Sequence, residues 1–402
     1  MTDELRKIQR IARVASAFTP GAPVDDFELF AGRIPQAQDL VSAVIQKGQQ
    51  VSLYGERGVG KTSLANILPF LFSADDLPDF VAAKVNCHTE DNFDGLWRKI
   101  FRELESEVQD DELGPEDVRW ILERLDPPAL IVIDELDRLD NDMALTLLSD
   151  TVKALSDHVV PSTLVLVGVA KSIGELIGEH ESIARALVKV YMPKMSLDEL
   201  REILDKGCAK AGITVTPDAA EHITILSRGL PHFTHLLALH AGQRVIADDR
   251  SEITMGDVIA SLRGAVEKHV VESDYVKATH SPHADNLYPQ VLFACALARM
   301  DQFGYFTAGA VRDPLEIVAG RRLDIPAFAR HLNQFLSPER GSVLLREGSP
   351  RRYVYRFRDP ILQTYVVLNG IANGLVDDAQ MERLDIGGPP MPDEPIEPQS
   401  LF

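Results

Sequence analysis

The chain of 402 residues, 45% hydrophobic and 25% charged, has the composition of a globular protein long enough for two or three domains with sizeable cores. Its formal net charge of −20 excludes a protein that coats nucleic acid indiscriminately, although a whole-chain value can hide a local basic surface. No apolar run approaches the ~20 residues that cross a bilayer, and Cys87, Cys208 and Cys295 are too few and too scattered for a disulfide framework or a zinc cluster. The start Met1-Thr-Asp-Glu-Leu-Arg-Lys7 lacks the long apolar segment of a secretory signal, so cytoplasmic residence without a membrane partner is expected.

Residues 1–29 read as an N-terminal helix with Leu5, Ile8, Ala12 and Ala15 at helical spacing, ended by Pro20, Gly21 and Pro23. Its apolar face is small and alanine-rich, which favours packing on the core over lying on a membrane surface. From residue 30 to 193 strand-like and helical runs alternate, the pattern of a doubly wound parallel α/β sheet. The strands are expected at Val51–Tyr54, Phe80–Cys87, Leu130–Ile133, Thr163–Val169 and Leu187–Tyr191. The helices fall at Gln36–Gln46, Thr62–Leu71, Phe93–Val108, Glu116–Leu125, Ala144–Asp157 and Ile173–Leu187.

The first strand runs into Gly55-Glu56-Arg57-Gly58-Val59-Gly60-Lys61-Thr62-Ser63 and then an apolar helix, the setting of a phosphate-binding loop. Glycines let successive backbone N–H groups face phosphate oxygens at a helix N-terminus, Lys61 adds a point charge, and Thr62 offers a hydroxyl to Mg²⁺. The third strand, Ala129-Leu-Ile-Val-Ile-Asp-Glu135, is an apolar run ending in two carboxylates at the edge where open α/β sheets bind ligands. Asp134 is assigned to Mg²⁺ through water and Glu135 to the general base that polarises the attacking water, so ATP hydrolysis is the expected chemistry. Between them, Glu103–Asp117 holds eight acids and no Lys or Arg, read as a solvated face.

After Pro193 strand signals stop, and four helical stretches over 194–271 suggest a helical lid. A polar linker is expected at 272–286. Residues 287–376 then show three helical stretches and a two-strand pattern (Ser342–Arg346, Arg352–Arg358), which spell a winged helix-turn-helix. Residues 321–358 hold nine arginines against three acids, a local charge of +6 that leaves −26 for the rest. Arg351, Arg352 and Arg356 are the candidate DNA-phosphate contacts, with Arg330 on the third helix toward the major groove. The acidic, proline-rich stretch 377–402 is expected to be disordered.

With loop, Asp-Glu strand and lid in place, the chain resembles the AAA+ ATPases, in their replication-initiator (origin-recognition) and transposition-regulator branch with a C-terminal winged helix. Phe30-Ala-Gly-Arg33 is similar to that group's N-terminal Gly-Arg element, which implies that Arg33 borders the adenine. Asp134-Glu-Leu-Asp137 and Tyr355-Arg-Phe-Arg-Asp-Pro360 resemble further family motifs. The resemblance implies a sensor-1 role for Ser172 or Lys171, and makes Asn86 the polar partner that restrains the catalytic glutamate. It also makes Arg185 an arginine finger reaching a neighbouring subunit's ATP site. In Ser227-Arg-Gly-Leu-Pro-His232 the sensor-2 arginine is replaced by His232, so His232 or Arg228 would serve there. The implied function is a Mg-ATP-dependent switch or loader that forms a homo-oligomer through shared ATP sites and grips duplex DNA. The alternative is a signalling or antiphage-defence scaffold ATPase whose winged helix binds a protein client.

Overall fold

The computed structural model describes residues 3–73, 77–106, 112–169, 185–267, 269–282, 286–301, 304–350 and 352–387. It divides into two compact units, Gly21–Pro193 and Met1–Pro20 with Lys194–Phe402. Helix α1 (Asp3–Ala17) thus belongs with the C-terminal unit.

The unit of residues 21–193 is built on five parallel strands: β1 (Gln50–Gly55), β2 (Val81–Asn86), β3 (Ala129–Asp134), β4 (Thr163–Gly168) and β5 (Leu187–Met192), in the order β2-β3-β4-β1-β5. Strands β3 and β4 are buried at every residue, as continuous apolar runs covered on both faces should be. Helix α2 (Ile34–Ile45) leads into β1, and the crossovers include α3 (Lys61–Leu71), α4 (Phe93–Glu103), α5 (Pro115–Leu122) and α6 (Asp142–Asp157). Helices α4 and α6 start at asparagine caps: Asn92 Oδ1 accepts from Gly95 N at 2.8 Å and Asn141 Oδ1 from Ala144 N at 3.0 Å. Phe93, Trp97 and Phe101 along α4 pack with Ile131, Ile133 and Leu148 in the core on that side of the sheet. The helix expected at Ile173–Leu187 lies mostly outside the described residues; Arg185 and Ala186 are described and lead directly into β5.

In the second unit α7 (Leu197–Ala211), α8 (Pro217–Ser227), α9 (Pro231–Ala247) and α10 (Met255–Val266) form the helical layer that follows Pro193, with the short parallel pair β6 (Thr214–Val215) and β7 (Glu252–Ile253) beside them, and α1 packs on α7 and α9. Phe18, fully buried, lies so close to Gly207 that a Cβ there would stand 2.3 Å from its ring. The expected linker at 272–286 is in part a helix, α11 (Glu272–Thr279), because Tyr275, Ala278 and Thr279 give the polar stretch an inward face. Residues 288–357 then fold as α12 (Tyr288–Leu297), α13 (Ala308–Ala319), α14 (Ile325–Gln334) and an antiparallel sheet in the order β8-β10-β9. Its strands are β8 (Phe306–Thr307), β9 (Leu344–Glu347) and β10 (Val354–Phe357). A further helix, α15 (Pro360–Ala372), is buried from Leu362 to Gly370 and packs on α10 and α12, so the helical layer and the C-terminal elements form one body.

The stretch expected to be disordered from residue 377 also starts as structure. Asp377 and Gln380 form a capping box at α16 (Asp378–Arg383), and Gln380 Nε2 donates to Ile317 O at 2.7 Å. Residues 388–402 lie outside the described part. No described helix is long and apolar enough to cross a membrane.

A chain of histidines ties this unit together. Backbone N–H groups can only donate and carbonyls only accept, which assigns the tautomers. Val271 N–H donates to His269 Nδ1 (3.4 Å), His269 Nε2–H donates to His232 Nε2 (2.8 Å), and His232 Nδ1–H donates to Pro20 O (2.7 Å). His235 Nδ1 accepts from Thr19 N–H at 3.3 Å. Burial pushes His235 and His269 down to about 4 and lowers His232. Between the ordinary histidine value and about pH 4 the unfolded chain therefore binds protons that the folded chain refuses, so stability falls as pH falls through that window. Thermal denaturation should show a melting temperature lower by about 5 °C at pH 4.5 than at pH 7. His269→Gln, which cannot titrate there, should shallow that slope; equal slopes would mean that the cluster does not contribute.

Candidate functional site

The carboxyl edge of the sheet gathers most of the expected site residues. Gly55 ends β1 where any Cβ would stand 2.3 Å from Met192 O, so only glycine lets β1 and β5 close up here. Gly58 (φ 85°) and Gly60 (φ 98°) then take left-handed backbone that residues with a side chain resist. The loop turns from Glu56 to Gly60 and α3 begins at Lys61. Lys61 Nζ donates to Gly55 O (2.9 Å) and Glu56 O (2.8 Å). Its ammonium is destabilised chiefly by burial, opposed by the charges of Asp137, Asp134 and Glu56. Arg57 is exposed, Val59 is buried, and Thr62 and Ser63 are half-buried at the start of α3. Ser63 Oγ accepts from Val24 N–H at 3.1 Å, so this hydroxyl is engaged with the segment preceding α2.

Arg33, which the resemblance sets beside the adenine, is bound to backbone on both sides of the loop. It stands at φ 63° before α2, is 2% exposed, and its Nη2 donates to Val59 O (2.8 Å) and Pro193 O (2.7 Å). It clamps the phosphate-loop backbone to the end of β5.

Asp134 closes β3 and is 3% exposed. Oδ1 accepts from Glu135 N–H at 2.8 Å, whereas Oδ2 accepts no hydrogen bond and stands 3.3 Å from Lys84 Nζ. Lys84 is the only cation that these contacts give Oδ2, and it makes no hydrogen bond there, so the carboxylate of Asp134 and the hydroxyl of Thr62 form a set of hard oxygen donors that fits a divalent ion such as Mg²⁺. Glu135 turns out of the strand through φ 56°, which lifts its carboxylate to the edge, where Arg138 holds Oε2 at 2.9 Å. Asn86 pairs in register with Asp134 and is exposed at the same edge. Arg185 is exposed just before β5. Ser172 and Lys171 lie outside the described residues.

Three side chains at this edge carry no family motif: Lys84, Asn66 and Arg138. A sequence signal existed for Lys84, a cation in the otherwise apolar Val81–Asn86 strand two residues before Asn86 and so on its face.

In the second unit His232 is engaged by Pro20 and His269, and Arg228 is half-buried. Its guanidinium donates to Ala296 O at 3.1 Å and to Ile386 O, and burial brings it down to about 10. Both side chains hold this unit together. Arg330 is exposed on α14, Arg352 is exposed between β9 and β10, and Arg356 on β10 lies over the Tyr305 ring at 5.1 Å; Arg351 is outside the described residues. Other arginines of the basic segment are used internally. Arg340 lies 3.7 Å over Tyr288 and donates to Ala278 O, while Arg346 donates to Asn333 Oδ1 at 3.0 Å and lies over Tyr353.

Residues 45–177 match the family model described as an AAA domain. No curated protein gives a significant sequence match. Among solved structures, the Walker-type ATPase paby2304 of Pyrococcus abyssi is 17% identical with a TM-score of 0.52, covering 87% of this chain and 99% of its own. The Aeropyrum pernix ORC1 protein, solved in complex with DNA, is 16% identical at a TM-score of 0.49, covering 91% of this chain and 97% of its own. Cdc6p from Pyrobaculum aerophilum is 16% identical at 0.48, covering 89% and 98%. A parallel sheet with the phosphate loop after β1 and an acidic pair after β3 agrees with the match of residues 45–177 to an AAA domain, and the chain has the P-loop AAA+ fold.

Proposed function

We propose that the chain is an ATP-hydrolysing nucleotide switch. The observation that carries this reading is the convergence at one sheet edge of the Lys61 loop, the buried Asp134 whose Oδ2 faces Lys84 without a hydrogen bond, and Glu135 lifted clear by its left-handed turn. Backbone N–H groups from Gly58 to Thr62 would bind the β- and γ-phosphates, and Lys61 would exchange two loop carbonyls for phosphate oxygens. Thr62 and Asp134 would hold Mg²⁺, which when bound offsets the charge on the phosphates. Glu135, released from Arg138, takes a proton from water as the water oxygen bonds to the γ-phosphorus and the bond to the β–γ bridging oxygen breaks. Asn86, beside Asp134 in register, would hold Glu135 away from that water, and Arg185, exposed before β5, would serve a neighbouring protomer's site.

The three helices and antiparallel hairpin of residues 288–357 favour a winged-helix grip on duplex DNA, with Arg330, Arg351, Arg352 and Arg356 as its contacts. A protein client is the second reading, favoured by one observation: Arg340 and Arg346 are already committed to internal partners, which thins the basic surface.

Lys61→Ala should abolish nucleotide binding, whereas Glu135→Gln should leave it intact and slow turnover at least about 100-fold, the range of one acid–base group. Isothermal titration and phosphate release distinguish the two; equal loss of affinity in both variants would refute the role of Glu135.

Arg185→Ala should lower hydrolysis roughly 1,000-fold without weakening nucleotide binding. Mixing it with Glu135→Gln should restore part of the activity if sites are shared between protomers. Normal hydrolysis by a species that sedimentation shows to be monomeric would rule out the finger.

Replacing Arg351 and Arg352 by Ala should weaken binding to all duplexes alike and reduce the salt slope by roughly two, as each phosphate contact contributes about 0.9. A wild-type protein without duplex affinity at low salt, with ATP and Mg²⁺ present, would bring the protein-client reading forward.

A further inference from the structure

Lys84 stands where a cation needs explaining. It lies on edge strand β2, whose alternate residues Ala83 and Val85 enter the core, so Lys84 and Asn86 share the opposite face. Its ammonium meets two groups at once. Asp134 Oδ2 is 3.3 Å away, and Asn66 Oδ1 on α3 accepts a hydrogen bond from it. Asn66 is in turn fixed by donating to Val24 O at 3.3 Å. Asn66 follows Thr62 by four residues, one turn along the same face of α3. Lys84 therefore sits against the two elements that supply both groups assigned to the divalent ion, and it lies closest to the oxygen that no hydrogen bond satisfies.

A fixed positive charge in that place has two consequences. It gives the nearly solvent-free Asp134 a counter-charge when no metal is there, which preserves the site's shape. It also repels an arriving divalent ion and shares the oxygen that must serve the ion or its water, over a distance at which charges in a partly buried site interact strongly. We propose that Lys84 is a positioning residue that sets the magnesium dependence of nucleotide binding: its ammonium occupies the electrostatic place beside Asp134 Oδ2 and must yield to the incoming ion. The inference rests on the nucleotide-site reading above and adds a residue to it. Its consequence is a site that takes up Mg²⁺-nucleotide only at a higher Mg²⁺ concentration than the loop and Asp134 alone would need.

The test is a Mg²⁺ titration, from EDTA-treated protein upward, of fluorescent methylanthraniloyl-ADP bound to the full chain. Lys84→Met and Lys84→Gln both remove the charge, and the second keeps an amide for Asn66. Each should lower the Mg²⁺ midpoint roughly tenfold, the scale of a unit charge at this range in a partly screened site. Lys84→Arg should stay within about twofold of wild type. Midpoints unchanged or raised in both neutral variants, with melting temperature and metal-free nucleotide affinity retained, would overturn the proposal while leaving the nucleotide site standing. A lower melting temperature without a lower midpoint would show a purely structural role and overturn it as well. Wild-type protein that binds no nucleotide at any Mg²⁺ concentration would instead defeat the nucleotide reading itself, and the proposal with it.

Discussion

Parallel pairing of β1 with both β4 and β5 is the constraint on which the rest of the α/β unit depends. A strand buried on both faces must have its backbone satisfied by neighbours and its side chains apolar, so polar chemistry can appear only where the strand ends. Three neighbours end together, and the loop after β1 and the acids after β3 emerge at one edge. The close approach is sharpest at Gly55, where Met192 O occupies the space of a side chain, and Arg33 locks the same junction by bonding Val59 O and Pro193 O. The phosphate loop is thus shaped by its glycines and also pinned by a buried guanidinium.

Charge at that edge is arranged in opposed pairs. Lys61 is held on loop carbonyls, Asp134 faces Lys84, and Glu135 faces Arg138. Each acid has a cation within reach. The two pairs differ in burial: Asp134 is almost wholly shielded and Lys84 about two-thirds so, whereas Glu135 and Arg138 are both more than two-fifths exposed. Solvent screens the second pair, so it is the easier to exchange. That difference suits an aspartate that must stay in place and a glutamate that must move.

The other unit answers a different problem, that of tying several small helical layers into one body. It does so with part-buried polar groups held by hydrogen bonds. Arg228 reaches Ala296 O and Ile386 O, the histidine chain reaches Pro20 and Val271, and α15 is enclosed along most of its length. A sensor-2 role for His232 or Arg228 would have to be reconciled with these contacts, because each already has partners inside its own unit.

How much of this was legible in the sequence varies with the range of the interactions involved. Apolar runs such as Ala129–Ile133, the glycine spacing of residues 55–60 and the carboxylates that end β3 are local patterns. They located all five strands to within a few residues and, among the described residues, brought Lys61, Thr62, Asp134, Glu135 and Asn86 to one edge. A short polar helix is harder to read: α11 and α16 look like linker and tail in the sequence because their inward faces are only a few small or mixed residues each. What tertiary structure alone decided are contacts between residues far apart in the chain. The Arg33 clamp spans 160 positions to Pro193, and the Phe18 contact with Gly207 draws α1 to the C-terminal unit. Lys84 meets Asp134 across neighbouring strands. The sequence determined which residues prefer strand, helix or sharp turn; only the packed sheet and helices could determine which distant charge each buried carboxylate or guanidinium would meet, because that choice is made by the geometry of burial.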